Sequence, residues 1–107
     1  MNGFSEIVIS FLRRVFQTRV VLDDGSWIEF ADREGLLYGE PDGHTMFIVI
    51  YPQGERLRCK LLYSRNIRRW EPPHATDEIT AQKKLEIQAK VAAFCRRKRY
   101  ALEIDSS

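Results

Sequence analysis

The sequence predicts an α+β domain: an N-terminal helix, a five-stranded antiparallel meander, a long C-terminal helix and a final strand. Three observations carry this. Apolar residues recur at helical spacing near the start, at Phe4, Ile7, Val8, Phe11, Leu12 and Val15. From Thr18 the apolar period shortens to two, punctuated by turn signals at "DDGS" (23–26), "DREG" (32–35), "EPDGH" (40–44) and "PQGE" (52–55). Helical spacing then returns at Ile87, Val91, Phe94 and Cys95, well beyond two consecutive prolines. At 107 residues, 44% hydrophobic and 30% charged, the chain suits one domain spanning 1–107.

The first helix sets Ser5, Ser10, Arg13 and Arg14 opposite its apolar face. That polar face lacks the lysine excess of a lipid-binding helix, so packing against a sheet is the expectation. The apolar run Ile7–Ile9 is too short for a signal sequence and Arg13 and Arg14 soon interrupt it. A cytoplasmic protein with no membrane contact is therefore expected.

In the meander, Asp24-Gly25 suits a two-residue turn that would set Val21 opposite Ile28 and Leu22 opposite Trp27. Pro41-Asp42-Gly43 suits a type I turn, with proline presetting φ. "TMFIVIY" (45–51) is apolar at nearly every position, which predicts a central strand covered on both faces. "RLRCKLLY" (56–63) alternates, with Leu57, Cys59, Leu61 and Tyr63 facing inward and Arg58 and Lys60 facing water. Pro72 and Pro73 donate no ladder hydrogen bond, so this stretch ends by Trp70. Thr76 or Thr80 then caps the long helix, Arg96, Arg97, Lys98 and Arg99 crowd its C-terminal end where the macrodipole favours cations, and "YALEI" (100–104) forms the last strand.

Catalytic and ligand motifs are missing. Nucleophile elbows, zinc-protease helices and phosphate loops do not occur, and the glycines fall singly in turns. The two histidines, His44 and His74, each lack a second ligand at helical or strand spacing. No enzyme activity, metal or cofactor is expected. The two cysteines, Cys59 and Cys95, fall in a strand and a helix without a CxxC pair and are expected to be reduced.

Charge is more informative than its net value of +2. Between residues 23 and 42 lie seven acids (Asp23, Asp24, Glu29, Asp32, Glu34, Glu40 and Asp42) against one base, Arg33. Between residues 56 and 70 lie six bases (Arg56, Arg58, Lys60, Arg65, Arg68 and Arg69) and no acid, ending at Trp70. Aspartates at turns bond nearby amides and need no further reason. The remaining acids crowd like charge into one region, which a basic partner protein would relieve. The basic stretch, with Trp70 and nearby tyrosines, offers an alternative surface for nucleic acid or an acidic partner. Trp70 beside prolines also reads as a lid on the core edge.

The C-terminal half adds a resemblance. A strand ending in "NIRRWEPP", a linker "HATDEIT", a helix "AQKKLEIQAKVAAFCRRK" and a closing strand "YALEI" resemble the small immunity proteins of bacterial polymorphic-toxin and contact-dependent growth-inhibition systems. The likeness spans roughly residues 61–105 and lies in the order of elements around a Trp-acid-Pro corner. It implies a non-enzymatic cytoplasmic protein that binds and neutralises a cognate toxin domain, such as a nuclease. The acidic set from Asp23 to Asp42 would then face a basic cleft, and the alternative is a small nucleic-acid-binding or regulatory module working through residues 56–70.

Overall fold

A computed structural model describes residues 19–53 and 58–106. The expected helix over Phe4 to Val15 lies outside the described residues, as does Arg56. Among the described residues there are seven strands and one α-helix. These are β1 (Val20–Val21), β2 (Trp27–Asp32), β3 (Gly35–Gly39), β4 (Thr45–Val49), β5 (Tyr51–Pro52), β6 (Cys59–Tyr63), α1 (Ala81–Arg97) and β7 (Ala101–Asp105).

The five-stranded meander is corrected to two sheets. β1 to β4 form a four-stranded antiparallel meander, and β5, β6 and β7 form a separate three-stranded sheet. The chain changes sheet at Ile50, whose N–H still reaches back to the carbonyl of Glu34 at 2.9 Å, whereas Tyr51 already pairs with Leu61. β6 and β7 run parallel, which no tight turn can connect, so α1 serves as the crossover between them.

Two registers also differ from expectation. Leu22 donates its N–H to the carbonyl of Ser26 at 2.7 Å, so the first hairpin turns through Asp23, Asp24 and Gly25, a three-residue loop. The extra residue sets Val20 opposite Ile28 and Val21 opposite Trp27, and it turns Val21 out to solvent. In β6 the fully buried residue is Leu62, while Cys59, Leu61 and Tyr63 are only half-buried. The inward phase of this strand is therefore the one that carries Lys60, whose ammonium donates to the carbonyl of Arg33 at 3.1 Å.

The core lies between the inner faces of the strands and α1. Ile28, Leu36, Tyr38, Met46, Ile48, Ile50 and Leu62 meet Ile87, Val91, Phe94 and Cys95 there. Thr80 caps α1 by accepting the N–H of Lys83 at 3.0 Å, and buried Gln88 donates to Ser64 at 2.6 Å, tying the helix to the turn after β6. At the other end Arg99 takes a positive φ, and the Arg58 guanidinium donates to the carbonyls of Lys98 and Arg99 while lying 4.4 Å above the Tyr100 ring. Cys59 and Cys95 are free thiols, and burial pushes the Cys95 thiol up to about 11. No helix among the described residues is long and apolar enough to cross a membrane.

Candidate functional site

The strand at 45–51 is not covered on both faces. Met46, Ile48 and Ile50 are fully buried, whereas Phe47 is 42% and Tyr51 39% exposed. The sequence places large rings on the face of the sheet that carries Phe47 by a local device. Gly35 and Gly39, four apart in β3 and so on the same face, lack side chains, so neighbouring aromatics lie directly on the backbone. A Cβ at Gly35 would fall 2.1 Å from the Phe47 ring, and one at Gly39 would fall 2.2 Å from the Trp27 ring. Trp27 is covered in turn by the Arg19 guanidinium at 3.9 Å.

Beyond Phe47 this face opens into a groove of about 460 Å³ lined by Phe47, Val49, Asn66, Arg68 and Arg69. Asn66 fixes the groove wall by donating to the Val49 carbonyl at 3.3 Å. Arg68 and Arg69 are exposed and have no carboxylate partner among the described residues. Elsewhere, Tyr51 and Tyr63 meet edge to face at 5.8 Å, and Arg65 lies 4.1 Å above Tyr63.

The other basic candidates are placed differently. Arg58 and Lys60 bind backbone carbonyls. Trp70 is only 3% exposed, stacked on Tyr38 at 6.2 Å, so its ring closes the core edge and has no free face for a base.

The acidic candidates are largely satisfied within the chain. Asp24 pairs with Lys90 at 2.6 Å, Glu29 with Arg19 at 3.0 Å and Glu40 with Lys83 at 2.9 Å. Glu40 also accepts the Tyr38 hydroxyl, and burial raises that phenol well above its ordinary range. Asp32 accepts the Glu34 N–H at 2.8 Å, and Asp42 binds His44. Asp23 and Glu34 offer exposed carboxylates with no cationic partner among the described residues.

A third cluster joins segments distant in sequence. The His44 ring stacks on His74 with centroids 3.7 Å apart and meets the edge of Trp70 at 5.0 Å. Its Nδ1 lies 2.8 Å from Asp42 Oδ1 and its Nε2 lies 2.7 Å from Asp77 Oδ2. The hydrogen bonds to Asp77 and then Asp42 raise the His44 pKa, and the same contacts lower those of the two aspartates. The loop behind the cluster contains a cis bond between Pro72 and Pro73, and Glu71 anchors it by donating its N–H to the Thr45 carbonyl at 2.8 Å.

No protein family, curated protein or solved structure matches this chain. Function therefore rests on these surfaces. Sequence reasoning missed two of them. The outer aromatic face was signalled by Gly35 and Gly39 at strand spacing, because glycines in a strand mark close approach by another group. The histidine cluster carries no local signal, since its ligands come from a hairpin turn and a distant loop.

Proposed function

We propose that the protein is a non-enzymatic immunity protein that neutralises a cognate toxin domain by direct contact, and that it binds through the Arg68–Arg69 groove. The supporting observation is the pairing, in one groove, of exposed Phe47 with two arginines that have no carboxylate partner among the described residues. Protein interfaces favour aromatic and arginine anchors over a polar rim, and this groove has an apolar floor with cationic walls. Its partner is an acidic protein surface carrying at least one apolar side chain. The acids from Asp23 to Asp42 are mostly spent on internal pairs, which moves the contact away from them. The nucleic-acid reading loses Trp70 to the core and Arg58 and Lys60 to backbone carbonyls.

Co-purification with a co-expressed candidate toxin domain tests this. Arg68→Glu with Arg69→Glu is expected to weaken capture by about tenfold or more, while Glu34→Lys leaves it unchanged. The reading fails if the wild-type chain captures no toxin, or if it instead binds single-stranded nucleic acid with steep salt dependence.

A further inference from the structure

We propose that His44, His74 and Asp77 form a binding site for a divalent transition-metal ion of the zinc type, with Asp42 holding His44 in the tautomer that presents Nε2 to the ion. One donor pair already stands at the spacing of a tetrahedral site, and the other, drawn in to hydrogen-bond distance, opens by about half an ångström to reach it. Asp77 Oδ2 lies 2.7 Å from His44 Nε2 and 3.3 Å from His74 Nδ1, and the donor atoms of the three residues all lie within 4.8 Å of one another. In a tetrahedral site with bonds of about 2.0–2.1 Å, neighbouring donors are about 3.3 Å apart.

Asp42 supplies the second, independent indication. Its carboxylate accepts from His44 Nδ1 at 2.8 Å, the support that metal-bound histidines characteristically receive on the nitrogen away from the ion. With the proton on Nδ1, a neutral ring turns the Nε2 lone pair toward a second carboxylate, Asp77. Two negative lobes at that distance repel unless a cation lies between them, and that cation is either a proton or a metal. The competing grouping of Glu40, Asp42 and His44 is less suited, because Glu40 is engaged by Tyr38 and Lys83.

The scaffold is held on both sides. His44 is fixed by the Asp42 turn and the Trp70 edge. His74 and Asp77 sit one turn apart in a loop whose amides close in sequence, His74 N–H to the Glu71 carbonyl and Asp77 N–H to the His74 carbonyl, both at 3.0 Å. His44 Nε2 and His74 Nδ1 both lie against Asp77 Oδ2, so a modest opening of the ring stack brings both onto one ion. The side chains leave room for this, being 19%, 31% and 49% exposed for His44, His74 and Asp77. Two imidazoles and one carboxylate select zinc, cobalt or nickel over magnesium or calcium, and the fourth position falls to water.

The experiment uses the full chain without a histidine tag, titrated with Co²⁺ and then Zn²⁺. One equivalent of Co²⁺ is expected to give visible bands of low-coordinate geometry without a thiolate charge-transfer band, to quench part of the tryptophan fluorescence, a loss that Trp27→Phe retains, and to be displaced by Zn²⁺. His74→Ala and Asp77→Asn should each weaken binding about tenfold or more, and Asp42→Asn about 10- to 100-fold, with folding checked by circular dichroism. The chain has only two imidazoles, so nitrogen NMR of the wild type reads the site even if a variant misfolds. Zinc must shift both His44 Nε2 and His74 Nδ1. Absence of saturable binding, a thiolate band, unchanged affinity in a folded His74→Ala, or a shift at only one ring overturns the proposal and leaves an imidazolium clasp.

Discussion

The turns at Leu22–Ser26 and Glu40–His44 share one backbone and serve different ends. In each, the first residue donates its N–H to the carbonyl of the last, at 2.7 Å in one and 2.8 Å in the other, and the glycine N–H returns to the carbonyl of the first residue. In each, an aspartate accepts the N–H two residues on, Asp24 from Ser26 at 2.9 Å and Asp42 from His44 at 3.0 Å. The glycines carry matching positive φ values, 89° at Gly25 and 99° at Gly43. The residue after glycine makes the difference. Ser26 is buried and closes its hydroxyl onto Asp24, which then grips Lys90 of α1; the longer, half-buried His44 reaches past its own aspartate to Asp77. A locally determined turn is thus a mount, and one side chain decides whether it becomes a clasp or an accessible cluster.

The largest effect breaks the support under the second turn. Trp70 is buried against Tyr38 and meets the His44 ring at a steep angle, so Trp70→Ala removes a packed aromatic from both. A loss of about 3–5 kcal/mol is expected in urea denaturation, because the cavity relaxes only in part. A midpoint within error of wild type would mean that the second turn stands without its platform, as the first does.

Next come the glycines, where like backbones predict unlike costs. Alanine at either position takes on a left-handed conformation that costs about 1–2 kcal/mol. At Gly43 the new methyl meets nothing within 4 Å, but at Gly25 it lies 3.0 Å from Pro41 Cγ, where the first turn touches the second. Gly25→Ala is therefore expected to lower the melting temperature more than Gly43→Ala. The reverse order would show that Pro41 yields freely and that the two turns are not in firm contact.

How much of this was legible follows the range of the interactions. The positions of the Asp-Gly turns and the inward face of α1 depend on residues within a few positions of each other, and the sequence states them directly; for the cap it offers Thr76 and Thr80 alike, and the structure uses Thr80. The register of the first hairpin slipped by one because Asp23-Asp24-Gly25 and Asp24-Gly25 are both good turn sequences, and the choice between them rests on burying Val20 and Ile28 together. The strand at 45–51 carries apolar residues on both faces for different reasons: Met46, Ile48 and Ile50 fill the core, and Phe47 covers Gly35. Composition alone does not separate those reasons. The break into two sheets at Ile50 and the meeting of His44 with His74 and Asp77 are set only when α1 crosses over and the 71–77 loop docks, so no local pattern carries them. Among the basic candidates, Arg58 and Arg68 look equivalent in sequence, yet one closes the end of α1 and the other stands open beside Phe47.

The smallest effect sharpens the clasp in the first turn through its pH dependence. The hydrogen bond from Lys90, aided by those from Ser26, holds the Asp24 carboxyl well below the usual carboxylate range. A carboxyl depressed in the folded state contributes stability that is present above its unfolded value, near 3.8, and is lost as pH falls toward the folded value. The side chain is about half exposed, so solvent screening keeps the contribution small. Asp24→Asn keeps an oxygen for the Ser26 amide and removes the charge, imitating the protonated acid at every pH. Its melting temperature should fall below wild type at pH 7, and the gap should narrow steadily as the buffer is taken below pH 4. A gap that stays constant into acid would assign the clasp to the Ser26 hydrogen bonds and leave Lys90 a bystander, making the first turn self-contained where the second depends on a distant partner.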